Sequence, residues 1–377
     1  MNLRRLTAIA RKEALHIRRD PRSLGLAIGI PLMMIVLFGY ALTLDVDRVP
    51  LVIWDQGNTP LSREFASHLT GSRYFDLRGQ LSNERELMDA IDRRTALAAV
   101  VLPPDFADQL GAGRTAPVQV VLDGSDSNTA AIVLGYVQSI TAAFNTAIVV
   151  DQQLRAGVSP PKPGFELRPR VWFNADLESK NFIIPGLIAV ILGLIAALLT
   201  SLTVAGEWER GTMEQLIATP VTASELILGK LLPYLVIGLF DVLLAVVMAV
   251  ELFDVPLRGS VVLLFSMAAV FLVGTLAQGI LISTLARQQL LASQLAMVST
   301  FLPAFLLSGF MFAIENMPAP VQAITYIVPA RYFVALVKGI YLRGVGLETL
   351  WSDAVFLIIF AIIVTTLAIR AFRKRIL

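Results

Sequence analysis

The sequence predicts an α-helical polytopic membrane protein: six transmembrane helices, with an α/β extracytoplasmic domain between the first and second spans. Three observations lead there. Of the 377 residues 56% are apolar and only 16% are charged, where soluble domains carry about a quarter charged residues. Six stretches reach the roughly 20 apolar residues needed to cross a bilayer core: 24–44, 182–205, 231–250, 259–286, 290–314 and 350–369. The backbone must satisfy its own hydrogen bonds in lipid, so each stretch is expected to be a helix. Finally, one long polar segment, 45–180, interrupts the apolar series after its first member.

Residues 1–23 come first. Seven basic residues, from Arg4 to Arg22, fall within about 140° of a helical wheel, with Leu3, Leu6, Ile9, Ala10, Ala14 and Ile17 opposite. That pattern predicts an amphipathic helix lying in the cytoplasmic interface. A plain topology-setting charge cluster is compatible with the same residues. The apolar run that follows is too long for a cleavable signal peptide and has no A-x-A-like site after it.

Orientation follows from the basic residues of the short loops. Fourteen lie on the side of the termini, including Arg210, Lys230 and Arg287, against four opposite: Arg258, Arg331, Lys338 and Arg343. Both termini are therefore expected in the cytoplasm and 45–180 outside it. The net charge of +2 reads as a topology signal, and no nucleic-acid partner is expected.

Within 45–180, Val- and Ile-rich runs at 49–54, 97–102 and 118–122 read as strands, and 62–69, 84–93 and 104–110 as helices between them. Alternation of this kind points to a small α/β domain. A longer helix over 128–154 follows, and the Pro-rich link 159–169 leads back to the membrane.

Covalent chemistry finds no support. The chain has no cysteine, two distant histidines (His16 and His68) and no phosphate-binding G-x-x-x-x-G-K-[ST] loop. No catalytic residue, metal site or cofactor is expected on this chain.

Two features within the apolar half stand out. An acidic segment, "EWERGTMEQLIATP" (207–220), is wedged between two spans. It reads as a compact charged helix ending at Thr219-Pro220, with Arg210 and Glu214 at i,i+4; an ordinary solvated loop has the same charges. Thr222 and Glu225 form a capping-box pattern for the next helix. Asp241 lies inside an apolar span, a costly place for an ionisable group. It suits either a transport path or a hydrogen-bonded packing role. Gln278 in the fourth span is a weaker example of the same choice. The stretch 315–349, with Pro318, Pro320 and Pro329, is too interrupted for a span and reads as short external helices; a seventh span would put the C-terminal basic cluster outside.

"EWERGTMEQLIATPVTASELILGK" (207–230) resembles the cytoplasmic loop after the second span of ABC-2-type permeases, the membrane subunits of bacterial ATP-driven exporters. "VIWDQGNTPLSREFASHL" (52–69), "WFNADLESKNFIIPGL" (172–187) and "IVPARYFVALVKGIYLRG" (327–344) resemble further segments of the subfamily with a large external domain. The likeness implies a permease subunit in the bacterial inner membrane, exporting a hydrophobic or amphipathic compound, with 45–180 periplasmic. ATP and Mg would sit on a separate ATPase subunit. A second permease, as homo- or heterodimer, and a periplasmic adaptor (membrane fusion protein) are the further implied partners, besides membrane lipid. Glu207, Trp208, Glu209, Arg210, Met213, Glu214 and Leu216 would form the ATPase-coupling helix. Asp241 and Gln278 would face the translocation path, and Pro329, Arg331 and Lys338 an external gate of re-entrant helices. An ion-coupled transporter acting alone and a receptor with an external ligand-binding domain are the alternatives.

Overall fold

In the computed structural model, residues 2–41, 46–155, 170, 172–174 and 178–372 are described. The chain forms two compact units, 1–43 with 170–377, and 44–169. The link 159–169 and the basic residues 373–375 lie outside the described residues.

The first unit begins with α1 (Leu3–Arg19), capped by the Asn2 side chain, and α2 (Pro21–Ala41), the counterpart of the first expected span. Leu6, Ile9 and Glu13 are the buried residues of α1. They recur at i, i+3 and i+7, one face of a helix.

The second unit contains β1 (Val49–Asp55), α3 (Pro60–Thr70), β2 (Phe75–Gln80), α4 (Glu84–Asp92), β3 (Ala98–Leu102), α5 (Phe106–Gly111), β4 (Gln119–Leu122) and α6 (Ser127–Arg155). The strands form one sheet in the order β2-β1-β3-β4, parallel except for the antiparallel β3–β4 pair. Every residue of β3 is buried, as expected of a central strand covered on both faces. Alternate residues serve the two faces. Leu51, Ile53, Val100 and Leu102 pack with Phe65, Phe106, Val137 and Phe144 of α3, α5 and α6. Val52, Ala99 and Val101 pack with Leu87 of α4. Strand β2 was not expected from the sequence. Local polar groups fix the helix starts: Asp55 accepts from the amides of Gly57 and Asn58 and from the Ser62 hydroxyl, ahead of α3. At the start of α6 the Thr129 hydroxyl, with the amides of Thr129 and Asn128, holds the Asp126 carboxyl below its usual range.

The first unit resumes with α7 (Ser179–Glu209), α8 (Thr212–Ala218), α9 (Ala223–Val247), α10 (Val261–Ala286), α11 (Gln289–Ala296), α12 (Leu302–Leu307), α13 (Ala319–Thr325), α14 (Pro329–Lys338) and α15 (Leu347–Ala371). Single π-helical turns extend α9 (Met248–Leu252), join α11 to α12 (Met297–Phe301) and follow α14 (Gly339–Arg343). By length and composition six described helices are able to cross a membrane: α6, α7, α9 with its π turn, α10, α11–α12 and α15. Of these, α6 packs on the sheet of the second unit through Val133, Val137 and Phe144, while the apolar part of α2 is Ala27–Ala41.

Span boundaries shift from expectation. The fifth ends at Leu307, well short of 314, because the chain bends from Ser308 to Phe312, with Gly309 at φ +77°. The stretch 315–349 contains α13 and α14 with its π turn, meeting at a bend of 82°.

Helix α7 is the axis of the first unit, with 83% of its most apolar window buried. Its seam with α10 is made of small and hydroxyl side chains, the composition that lets helices approach closely in lipid. Thr200 Oγ1 donates to the Leu276 carbonyl at 2.9 Å. Ser283 Oγ accepts from the amides of Val204 and Ala205 at 3.1 and 2.8 Å. A methyl group at Gly279 would overlap Thr200 Oγ1 and the Ala197 carbonyl. Gly279→Ala is therefore expected to cost about 1–3 kcal/mol through overpacking, read as a lower thermal-unfolding midpoint in detergent. Gly135→Ala is its control: nothing lies within 4 Å of the added carbon, so the midpoint should hold or rise. In the second unit Phe65 is fully buried between Phe106 and Phe144, and Phe65→Ala should cost about 3–5 kcal/mol by the same measurement.

Candidate functional site

The segment 207–220 does not form one helix. Glu207, Trp208 and Glu209 complete the last turn of α7; Gly211, at φ +70°, breaks the helix, and α8 starts at Thr212. A left-handed residue costs little only without a Cβ, so glycine sets the break. The expected Arg210–Glu214 pairing is absent as a result, since the two residues no longer share a helix. Arg210 Nε instead donates to the Gly206 carbonyl at 3.0 Å. The far end matches the sequence: α8 stops before the extended Thr219, and Thr222 and Glu225 cap α9 reciprocally.

Side chains in this segment divide by direction. Met213 is fully buried and joins the core of the first unit, with Trp208 and Leu216 half-buried beside it. The Arg287 guanidinium lies 4.9 Å from the Trp208 ring centroid. Glu209 accepts from the backbone amide and side-chain amide of Gln289. Glu214, Gln215 and Ala218 are exposed on one side of α8.

Behind α8 lies a buried ion cluster that the sequence did not reveal. Lys230 Nζ is 3.2 Å from both Glu13 Oε2 and Glu207 Oε1, and Lys12 Nζ is 3.0 Å from the same Glu207 oxygen. The Tyr234 hydroxyl donates to Glu13 Oε1 at 3.2 Å. The Lys230 and Glu13 side chains are 2% and 4% exposed. Three helices thus meet through charge: α1, α7 and α9. Gly229 permits the contact, because a Cβ there would lie 2.9 Å from the Ile9 side chain. Two more links tie α1 to the segment: the Asn2 amide donates to Glu225 Oε1 and Arg5 Nη1 to the Pro220 carbonyl, each at 2.5 Å. The available signal was Glu13, a lone acid on the apolar face of a basic helix; its partner Lys230 had been counted only as a topology charge.

The other expected positions lie apart from this junction. Asp241 is 4% exposed on α9, and its Oδ1 has no partner among the described residues. Gln278 Nε2 donates to Thr300 Oγ1 at 3.4 Å, a long interhelical contact of the packing kind. Pro329 opens α14 at its first turn, where a missing N–H costs nothing. Arg331 donates to Thr325 Oγ1 and lies 4.0 Å from the Tyr326 ring centroid. Lys338 Nζ donates to the Gly309 carbonyl at 2.9 Å and sits 3.4 Å from the Phe182 ring centroid, tying α14 to the start of α7.

Removing one partner of a buried pair leaves an uncompensated charge. Lys230→Met should therefore lower the stability of the full chain by about 3–5 kcal/mol, measured by thermal unfolding. The exposed Arg287→Gln should change it by less than about 1 kcal/mol.

Known proteins give this arrangement its family. The profile described as ABC-2 family transporter protein matches residues 21–370. The probable multidrug ABC transporter permease YbhS of Escherichia coli K12 is 40% identical over 363 residues, 96% of this chain and 95% of that protein. The probable multidrug ABC transporter permease YbhR of the same strain is 32% identical over 99% of both chains. The inner membrane transport permease YhhJ, also from that strain, is 28% identical over 88% of this chain and 87% of its own. A helical membrane unit, a mixed-sheet unit and these near full-length matches converge: the chain belongs to the ABC-2 family of transporter proteins and is a membrane permease subunit of an ABC transporter.

Proposed function

We propose that this permease exports hydrophobic or amphipathic, drug-like compounds from the cytoplasm, with ATP and Mg bound by a separate ATPase that docks on α8. One observation carries the reading. Helix α8 is held from inside by Met213 and follows directly on the Glu207–Lys230 cluster at the end of α7, while Glu214, Gln215 and Ala218 remain exposed. A short rigid element that is anchored on one side and exposed on the other suits a lever moved by a partner.

In this proposal Glu209, Arg210 and Glu214 meet the ATPase, Trp208 and Leu216 border the contact, and Glu207 and Met213 hold the segment to the permease. The charge count of the short loops supports cytoplasmic termini and a periplasmic 45–180 in a bacterial inner membrane. Two permeases, identical or paired, would enclose the path, with a periplasmic adaptor extending it. ATP-driven closure of the ATPase pair would move α8 and, through the ion cluster, α1 and α9. Asp241 is proposed to face that path; Arg331 and Lys338, beside Pro329, are proposed to brace its outer gate. The names of the E. coli relatives YbhS and YbhR support the drug-like class of cargo.

The test is purification of the chain from its native membrane in gentle detergent, with identification of co-purifying proteins and an ATP hydrolysis assay. A stoichiometric ATPase with vanadate-sensitive turnover is the expected result; a chain free of ATPase even after mild crosslinking overturns the reading. Charge reversal then separates docking from folding. Glu214→Lys should reduce ATPase association about tenfold without moving the thermal midpoint, whereas Glu207→Lys should lower both.

A further inference from the structure

A cavity of about 860 Å³ opens between α1, α2, α7, α8 and α9, next to the ion cluster. That volume suits a substantial ligand, and the lining has three chemically distinct parts. Ala27, Leu199, Leu202 and Ile237 supply an apolar wall. Arg19 and Arg210 supply cationic groups, and Arg19 has no ion-pair partner among the described residues. Glu207 supplies an acceptor: its side chain is 9% exposed, Oε1 takes both lysines, and the buried Oε2 has no hydrogen-bond partner among the described residues.

The charges select a ligand class. Lys12 and Lys230 are matched by Glu13 and Glu207. Setting these aside, Arg19 and Arg210, with Asp20, are the charged residues left among the described residues of the lining. A purely cationic amphiphile would satisfy Glu207 Oε2 and oppose the arginines. A purely anionic one would satisfy the arginines and leave Glu207 Oε2 without a donor, an omission that costs a buried acceptor. A molecule with a primary ammonium, a nearby phosphate and an apolar tail satisfies all three parts.

We propose that this cavity binds a zwitterionic phospholipid with an ethanolamine headgroup. Its ammonium donates to Glu207 Oε2, its phosphate lies toward Arg19 and Arg210, and an acyl chain runs along Leu199, Leu202 and Ile237. Gln215 and Thr219 of α8 also line the cavity, so the bound lipid touches the segment proposed to meet the ATPase. With the orientation proposed above the lipid comes from the cytoplasmic leaflet; the binding chemistry does not depend on that orientation.

The experiment is native mass spectrometry of the full chain in detergent, with dioleoyl lipids added singly at equal concentration. The series is phosphatidylethanolamine, its N-methyl and N,N-dimethyl derivatives, phosphatidylcholine and phosphatidylglycerol. Ethanolamine lipid should be retained about tenfold better than choline lipid, which has no N–H to donate, the value of one charge-assisted hydrogen bond. The methylated lipids should fall between. Leu202→Trp, which fills the cavity and leaves the ion cluster intact, should abolish that retention. Glu207→Gln should reduce the ethanolamine lipid to the choline level, with its thermal midpoint recorded; if that variant does not fold, Leu202→Trp and the methylation series decide. Equal retention of choline and ethanolamine lipids overturns the proposal, as does a preference that survives Leu202→Trp. Phosphatidylglycerol bound as well as ethanolamine lipid overturns the ammonium contact. The readout needs no ATPase, so a failed coupling proposal and a failed lipid proposal give different results.

Discussion

Burying a lysine ammonium is costly unless partners of opposite charge meet it, and at Lys230 that requirement draws three distant helices to one point. Lys230 is supplied by α9, Glu13 by α1 and Glu207 by the last turn of α7. The N-terminal helix is thereby committed to a partner within the protein, whatever its relation to a lipid surface. Its exposed Lys12 closes the cluster from outside, and its cap residue, Asn2, binds the acid that caps α9. Moving any one of these helices alone would separate charges in a poorly solvated place. They are constrained to move together.

Directly after the cluster, Gly211 ends α7 and lets α8 leave in a new direction. The same few residues therefore join a fixed part and a displayed part. Glu207 looks inward to two lysines, and three residues past the glycine Glu214 is exposed. An unbroken helix would have placed these two acids about 700° apart, at 100° per residue, on nearly the same face. The break is what lets one acid hold and the other face outward.

Much of the architecture was legible because long apolar runs and alternating Val-rich segments are local signals. The mixed-sheet unit, five of the spans and the capping box at Thr222 all rest on such patterns. Strand β2 was missed because it is an edge strand: only Phe75 of its residues is buried, and Asp76 and Arg78 break any apolar run. The fifth span was drawn too long because Ser308 and Gly309 interrupt a stretch that remains apolar on both sides. The ion cluster was hidden for a different reason. Glu13 and Lys230 are 217 residues apart, and neither sequence neighbourhood names the other. The segment 207–220 reads as one helix in the sequence because its charges suit a helix surface, whereas Gly211 takes a left-handed conformation that breaks it.

The three π-helical turns have a consequence for how the membrane unit deforms. Each turn accommodates one residue more per hydrogen-bonded ring than the α-helix around it. Moving that residue along a helix rotates the residues between its old and new places by about 100°, the angular step of one residue, and leaves the helix beyond unchanged. The turns stand at the end of α9, between α11 and α12, and after α14. Only the turn between α11 and α12 has α-helix on both sides, so there a shift of the extra residue would re-aim the side chains it passes. Among the described residues the fifth span is thus the one with such a turn in its interior, a place where it could twist without a tilt of the whole span.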